Sequence, residues 1–394
     1  MAGLRPAEPG SFTRDRVTWL AYLCISVYAF YIYALGPVVA LLRSELHLSY
    51  TLASLHSTLW AVGSITTGLC FDRLTRWLGR RLLFWLAALV SSLGVLLFLF
   101  GHQVALTLPA AAVLSVGSTT LGAVSSVVLA DRHGESKDRA LLEANSGASA
   151  TGVVVPALLG LLAGTAGGWR PGLLLPVLAL GLLFVRFHAL PLPAPRVATS
   201  QAARLPRSFW PACSLVALAV AIEFVILFYG APLLVAGSGL PTARATAVLS
   251  AFVGGELVGR LAGGWLTRRP GRSEAVIGSA LLVTMVAFLV LWLGRNAVLQ
   301  GVALFVTGTG VGNLYPLSLA MALGAGGGLT DRAMARIQVA VALAIGAAPL
   351  LLGVLSDRAG LLRALALEPV LIVAMALVLF RMRPRGGIAT VPVA

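Results

Sequence analysis

Long apolar stretches, separated by short charged or Gly/Pro-rich breaks, are the feature that most limits how this chain can fold. A helix needs about 20 mostly apolar residues to cross a bilayer. The chain offers twelve such stretches, at 17–42, 51–71, 82–101, 104–130, 141–165, 169–187, 209–235, 245–266, 275–294, 297–323, 335–355 and 361–380. Hydrophobic residues make up 58% of the chain, above the roughly 45–50% that is usual for soluble domains. The sequence therefore predicts an all-α integral membrane protein with twelve transmembrane helices in the lipid bilayer.

The distribution of arginine orients these helices. Twelve spans place both termini on one side, and cytoplasmic loops carry the excess of Lys and Arg. The tails and connections on the side of the termini hold 22 of these residues, and those on the other side hold six. We therefore expect both termini in the cytoplasm. The same asymmetry accounts for most of the net charge of +15, so the charge indicates no nucleic-acid partner.

A break in composition divides the chain into two sets of six spans. The segment "FHALPLPAPRVATSQAARLPRSF" at 187–209 is rich in Pro, Ala and Arg, which is typical of a linker. The expected parts are a cytoplasmic N-terminal tail, a six-helix bundle, a cytoplasmic linker, a second six-helix bundle and a cytoplasmic C-terminal tail, at 1–16, 17–187, 188–208, 209–380 and 381–394 respectively.

The two sets of spans also repeat each other in sequence. The stretch "DRALLEANSGASATGVVVPALLG" from 138 aligns with "DRAMARIQVAVALAIGAAPLLLG" from 331, and this pairs Pro156 with Pro349 and Gly160 with Gly353. Two parallel six-helix repeats, related by an axis along the membrane normal, are typical of secondary transporters. Such proteins hold their substrate between the repeats, near the middle of the membrane.

One charged segment carries a more specific signal. In "GLCFDRLTRWLGRR", a glycine is followed after three residues by Asp-Arg, a short spacer and Gly-Arg-Arg. The positions that form this pattern are Gly68, Asp72, Arg73, Gly79, Arg80 and Arg81. The pattern resembles the signature loop between helices 2 and 3 of the major facilitator superfamily, and the helix count, repeat and linker extend the resemblance over the whole chain. The resemblance implies a secondary active transporter that alternates between outward-open and inward-open states.

The charges of this loop have two interpretations. Asp72 ends a span among arginines, so it can pair with them, or accept hydrogen bonds from a neighbouring helix end when the cytoplasmic side is closed. Alternatively, the arginines only set the topology and bind anionic lipid headgroups. Asp131, Glu143 and Asn145 lie near the same side and are further candidates for a cytoplasmic gate.

Charged residues inside the spans are candidates for substrate or proton binding, since a charge at mid-membrane costs about 2.5–3.5 kcal/mol on insertion scales. Glu223 has no arginine within a helical turn. Burial of a carboxyl group in apolar surroundings costs less free energy when the group is protonated. Glu223 is therefore a candidate proton carrier or a neutral hydrogen-bonding group. Glu256 and Arg260 have i,i+4 spacing, which favours a structural salt bridge. In the functional alternative, Arg260 binds an anionic substrate and Glu256 titrates, and this spacing resembles the monocarboxylate porters of the superfamily.

Polar residues on other spans are candidates for the wall of a cavity. Tyr22, Ser26 and Tyr33 share one face of the first predicted helix. Asn313 and Tyr315, in "GVGNLYPLS", offer hydrogen bonds to a ligand or to other helices. A cavity of this kind suits a ligand that is partly apolar and partly polar.

Several other chemistries lack support in the sequence. The three cysteines and five histidines have no metal-ligand spacing, and the single lysine lacks the glycine of a phosphate-binding loop. There is no arrangement of a nucleophile with a base. We therefore expect no enzyme activity, no cofactor and no metal.

The function favoured by the sequence is proton-coupled export of small amphipathic molecules. The Arg-rich, nearly lysine-free usage is typical of a GC-rich bacterial genome, so we expect a bacterial plasma membrane. We also expect a monomer. The alternatives are an organic-anion carrier that uses Arg260, and a membrane sensor that kept the fold without transport.

Overall fold

The computed structural model describes residues 13–133, 137–193, 205–266, 273–326 and 330–382, and these residues form helices and no strand. The predicted tails and the linker lie partly outside this range. The helices are α1 (Arg16–Leu46), α2 (Tyr50–Phe100), α3 (Val104–His133), α4 (Lys137–Ala163), α5 (Leu174–Phe187), α6 (Phe209–Ser238), α7 (Thr242–Val248), α8 (Ser250–Leu266), α9 (Ser273–Leu293), α10 (Ala297–Gly324), α11 (Thr330–Ala359), α12 (Leu361–Ala364) and α13 (Leu367–Met382). A 3-10 turn at Arg170–Leu173 leads into α5.

The element α2 consists of two helical arms, one for each of two predicted spans, which meet at Gly79. It bends at Gly79, whose φ of 70° and ψ of 159° are not helical. Only glycine adopts such a conformation at little cost. Eleven helical segments of the described residues are long and apolar enough to cross a membrane. They include the second arm of α2 but not the first arm at 50–78, where polar residues such as His56, Ser57 and Ser64 lower the hydropathy.

Short capped connections reverse the chain between consecutive helices. Asp15 caps the start of α1 by accepting a hydrogen bond from Thr18 N at 2.9 Å, and Ser49 does the same for α2. His47, with a φ of 51°, ends α1 just before α2 begins. Because successive long helices run in opposite directions, one face of the protein carries residues 13–16 and 382. We call this the terminal face and the opposite one the distal face.

The first half of the chain, residues 13–193, meets the second half, residues 205–382, through glycines near the distal face. A Cβ on Gly353 of α11 would lie 2.5 Å from Ser54 Oγ of α2, and one on Gly346 would lie 2.7 Å from Ala61 Cβ. A Cβ on Gly160 of α4 would overlap the main chain of Ala247. Small residues allow this close approach of helices in a membrane.

The same seam opens toward the terminal face. Ser54, Thr58 and Ala61 form a stripe on α2 that contacts α11. Gly68 continues this stripe two turns later, and a Cβ placed there would have no atom within 4 Å. The two halves are therefore in contact at the distal end of this seam and apart at its terminal end.

Candidate functional site

The charged residues that lie inside the spans come together around the guanidinium of Arg260. Its Nη1 donates hydrogen bonds to Ser149 Oγ at 3.1 Å and to Tyr33 Oη at 3.3 Å. Its Nη2 lies 3.5 Å from Glu256 Oε2 and 3.8 Å from Glu223 Oε1. A tight Arg–carboxylate pair has distances of about 2.7–2.9 Å, so this guanidinium is shared among four groups.

The five residues of this cluster come from both halves of the chain. Tyr33 lies on α1 and Ser149 on α4, whereas Glu223 lies on α6 and Glu256 and Arg260 lie on α8. Tyr33, Ser149 and Glu223 lie close to the midpoint of their helices, so the cluster is near the middle of the membrane. Arg260 therefore connects the two halves at this depth.

Glycines on α8 and α10 explain how the two charged residues of α8 are held. A Cβ on Gly255 or Gly259 would overlap the main chain of α10, and a Cβ on Gly312 of α10 would overlap the main chain of Glu256. The two helices therefore pack backbone to backbone, which buries Glu256 completely. On the first half, a Cβ on Gly152 would lie 2.6 Å from the Tyr33 ring, so this glycine lets Tyr33 lie against α4.

The charged groups of the cluster differ in their access to open space. The side chain of Glu256 is 0% exposed, that of Glu223 is 13% exposed and that of Arg260 is 27% exposed. At this depth, exposure of a side chain that bonds both halves means open space between the halves. Arg260 can therefore be reached from that space, Glu223 beside it is slightly exposed, and Glu256 is not exposed.

The predicted residues of α10 occupy different environments. Tyr315 is half-buried and close enough to Glu223 and Arg260 to interact with them electrostatically. Asn313 is buried and donates to Thr309 O of its own helix at 3.3 Å. It lies against Gly263 of α8. Asn313 therefore belongs to the packing between α8 and α10.

The predicted polar face of α1 lies along α4. Tyr22 Oη donates to Glu143 Oε2 at 3.0 Å, and Ser26 Oγ lies 3.3 Å from the position of a Cβ on Gly147. Of the three residues predicted on this face, Tyr33 is the one that bonds Arg260. The face is therefore continuous from the terminal side to the centre of the protein.

The segment at 68–81 is fixed to the first half and to the start of the linker. Arg80, buried, lies 2.6 Å from Asp131 Oδ2 and donates to Pro193 O at 3.1 Å. Arg81 donates to His188 O at 2.8 Å. The guanidinium of Arg73 lies over the ring of Trp77, 4.4 Å from its centroid. The Asp72 side chain lies outside the described part of the chain, so its predicted gating contacts stay a prediction.

The other predicted gate residues are also bonded within the first half. Glu143 Oε1 lies 2.7 Å from Arg14 Nη2, and Asn145 is exposed. Asp15 lies 2.5 Å from Arg132. Partial burial acts to raise the pKa of Asp15, but hydrogen bonds from Thr18 and the charge of Arg132 outweigh it and hold this pKa below its ordinary value. The charges of this face therefore stabilise one half.

Two features of the site are absent from the sequence predictions. Ser149 lies in a run of small residues, "NSGASATG", that has no signal for ligand binding. The proximity of Glu223 to Arg260 is also absent from the predictions, because the two residues lie on different helices and spacing along one helix carries no information about such a pair. A search for charges at equal depth on different spans would have paired them.

Comparisons with known proteins show which family and which solved structures this chain resembles. The model of the Major Facilitator Superfamily matches residues 21–327. No curated protein sequence matches the chain. A solved structure of a bacterial homolog of the human lysosomal transporter Spinster, in an inward-facing and occupied conformation, is similar with a TM-score of 0.74 and 15% identity over 94% of this chain and 97% of that one.

Solved structures of a peptide transporter and a nucleoside transporter also have a similar fold. The peptide transporter POT, in complex with sulfate, gives a TM-score of 0.73 at 14% identity over 95% of this chain and 96% of that one. A mutant form of the nucleoside transporter NupG gives 0.72 at 12% identity over 94% of this chain and 100% of that one. At these identities the likeness concerns the fold alone.

Proposed function

Because the chain belongs to the major facilitator superfamily, a family of secondary transporters, we propose that it exchanges a small organic molecule for protons across the membrane by alternating access. The observation that carries the proposal is the cluster of Glu223, Glu256 and Arg260 at mid-membrane, between the two halves of the chain. Substrate sites of such transporters lie at this depth, at the interface of their repeats.

Charge balance supports the coupling to protons. One guanidinium neutralises one carboxylate, so two ionised carboxyls beside Arg260 leave a net negative charge in a medium of low dielectric constant, which is costly. A single proton restores neutrality. Glu223 is the carboxyl that open space reaches, and we assign the exchangeable proton to it.

The hydrogen bonds of Arg260 to the first half also link proton binding to movement of the halves. Arg260 donates to Tyr33 and Ser149 of the first half while it faces the two carboxyls of its own half. When Glu223 gains or loses its proton, the electrostatic attraction between its carboxyl group and the guanidinium of Arg260 changes. The hydrogen bonds that Arg260 makes across the interface then strengthen or weaken, which biases one state of the cycle over the other.

Amphipathic compounds are the substrate class that the surroundings favour, and we propose that the protein exports them. Tyr33 and Tyr315 present aromatic rings beside the charged groups, and both are half-buried. A ligand with an apolar body and one polar group matches such a wall. We place the termini in the cytoplasm of a bacterial plasma membrane, in line with the excess of Lys and Arg on their side.

A carrier of organic anions is the second candidate, and the exposure of Arg260 favours it. An anionic substrate would bind the guanidinium directly. It would have to displace Glu223 or bind when that carboxyl is protonated, since Glu223 and Glu256 already face Arg260. The charge count therefore favours the first candidate.

The test is dissipation of a pH gradient in inside-out vesicles that contain the full chain. Candidate compounds are added to vesicles with wild-type protein, with Glu223→Gln or with Arg260→Gln. Glu45→Gln is the matched control, because Glu45 is a carboxyl near the distal face that pairs with Arg170 at 2.7 Å and lies outside the cluster. Equal amounts of folded protein are confirmed in each preparation.

Three outcomes separate the candidates. Dissipation by lipophilic compounds that is kept in Glu45→Gln and lost in Glu223→Gln supports proton-coupled export. A response limited to carboxylates and lost in Arg260→Gln supports the anion carrier instead. Silence across a broad panel of lipophilic compounds and carboxylates would contradict proton coupling and favour a protein that senses without transport.

A further inference from the structure

Asp357, near the distal end of α11, holds the start of α2 in the other half of the chain. Its Oδ1 accepts a hydrogen bond from Tyr50 N at 2.8 Å, and its Oδ2 accepts one from Thr51 N at 2.7 Å. The partners are 307 and 306 positions apart in sequence. One carboxylate therefore binds two main-chain donors of the other half.

These two bonds complete the hydrogen bonding at the start of α2. The first N–H groups of a helix have no partner within it. Ala53 N already bonds Ser49 O, and Leu52 N bonds the hydroxyl of Ser49. Tyr50 N and Thr51 N are the remaining donors of the first turn, and they are satisfied by Asp357 alone among the described contacts. The helix dipole also favours a negative charge at this place.

Neighbouring contacts fix the geometry of this contact. Arg43 of α1 lies over the Tyr50 ring, 3.5 Å from its centroid. The rings of Tyr50 and Tyr229 are 6.0 Å apart, and Tyr229 Oη donates to Pro349 O of α11 at 2.8 Å. Two turns along α2, Thr58 donates to Gly346 O at 3.1 Å. Asp357 thus sits at the end of a continuous seam between α2 and α11.

Movement of the halves would break this contact completely. The two hydrogen bonds form only when α11 is in contact with α2, because both bonds cross the seam. Among the described contacts, neither Tyr50 N nor Thr51 N has a second acceptor from the first half. A carboxylate on the same half as α2, such as a residue preceding Tyr50, would cap the helix in every state. A cap supplied by the opposite half instead stabilises only the state in which α11 contacts the start of α2.

We propose that Asp357 is a positioning residue of the transport cycle, which holds the distal side closed and must release α2 before that side can open. The proposal rests on the alternating access proposed above. The same arm of α2 ends near Asp72, which the sequence predicts to bind a neighbouring helix end when the terminal side closes. The arm at 50–78 would then be held by an acid at one end in each of the two states.

The test measures distances across both faces in the full chain reconstituted in lipid nanodiscs. The exposed Cys70 is replaced with serine, and the buried Cys24 and Cys213 are kept. One spin-label pair sits on the distal face at the exposed positions Gln103 and Arg295. A second pair, on the terminal face, sits at the exposed positions Arg76 and Leu266. Each pair is measured by double electron–electron resonance with Asp357, Asp357→Asn and Asp357→Glu.

We expect the wild type to favour the short distal distance. Asparagine offers one uncharged acceptor in place of two charged ones, so Asp357→Asn should raise the ratio of distal-open to distal-closed molecules by about tenfold. The terminal pair should shorten in the same molecules. Asp357→Glu, which keeps the charge, should have a smaller effect. Glu45→Gln is the matched control, since Glu45 bonds residues of its own half and should leave both distributions unchanged.

Two results would overturn the proposal. Unchanged distances in Asp357→Asn would mean that the contact does not hold the distal side closed. Broadening of both pairs together, with a lower thermal stability and no reciprocal shortening, would mean that Asp357 only stabilises the fold. The experiment uses neither substrate nor a proton gradient, so proton coupling can fail in the vesicle assay while the opposite shifts of the two pairs still support the role of Asp357.

Discussion

The distal and terminal faces of this protein differ in whether a described charged group bonds across the seam between the halves. At the distal face, the halves meet through glycines and main chain, and one carboxylate, Asp357, bonds across the seam. At the terminal face, the described ion pairs of Arg14, Arg80 and Arg132 join parts of the first half to one another. The face richer in charge is therefore not the face that is closed. Its ion pairs bind parts of one half to one another, and we expect that half to move as a unit.

The mid-membrane cluster lies between these two regions and differs from both. Arg260 bonds both halves, as the distal seam does, but through charged and polar side chains that open space reaches. Such bonds can be changed by a proton or a ligand, whereas close packing of glycines cannot. We expect this region to decide which face is open.

The largest effect should follow from Arg260→Ala. The substitution removes the connection to Tyr33 and Ser149 and leaves two carboxyls without a counter-charge, and breaking a buried ion pair costs about 3–5 kcal/mol. Transport in proteoliposomes should fall by at least about two orders of magnitude at equal protein content, since about 1.4 kcal/mol corresponds to a factor of ten. Arg260→Lys keeps the charge and should retain part of the rate. A fully active Arg260→Ala would show that the cluster has no part in transport.

The next effect tests whether the terminal face serves the rigidity of the first half. Arg80→Ala should lower the free energy of unfolding by about 2–4 kcal/mol, because it removes a buried guanidinium that pairs with Asp131 at 2.6 Å and donates to Pro193 O at 3.1 Å. Arg76→Ala is the matched control, since Arg76 is exposed. Thermal unfolding in detergent compares the two. Equal losses of stability would contradict the role of Arg80 as an internal tie.

A smaller effect tests the packing of the distal face. Gly353→Ala should cost about 1–3 kcal/mol, because its Cβ would lie 2.5 Å from Ser54 Oγ and 2.8 Å from Tyr50 O. The cost falls only on the distal-closed state. Gly278→Ala in α9 has no atom within 4 Å of its Cβ and should be neutral or slightly stabilising. Faster labelling of a Ser54→Cys variant from the distal side in Gly353→Ala, and not in Gly278→Ala, is the expected result.

The smallest effect concerns the N-terminal cap of α1. The pKa of Asp15 is held below its ordinary value in the folded protein, so its ionised form stabilises the fold above a pH of about 4. This stabilisation is lost as the pH falls through the lower, folded pKa. Asp15→Ala should therefore lower the thermal midpoint by a few degrees at pH 7 and progressively less below a pH of about 4. A difference that persists unchanged into acid would assign the effect to packing.

The sequence could predict features that depend on nearby residues. The apolar stretches predicted the helical spans, and the rarity of charge inside them identified Glu223, Glu256 and Arg260. It did not show that both arms of α2 stay helical up to Gly79, because the charged residues at 72–81 end both apolar stretches. The sequence also could not place Asp357 beside Tyr50. An acidic residue at the end of one helix does not indicate which other helix begins next to it.

The most direct test of the account is infrared difference spectroscopy of the carboxyl groups in the reconstituted protein. A compound that dissipates the pH gradient in vesicles is added, and the C=O band of protonated carboxyls is followed in wild type, Glu223→Gln and Glu45→Gln. We expect the compound to remove a protonated-carboxyl band in wild type and Glu45→Gln, and we expect no such change in Glu223→Gln. A band change that survives in Glu223→Gln would contradict the assignment of the exchanged proton to Glu223.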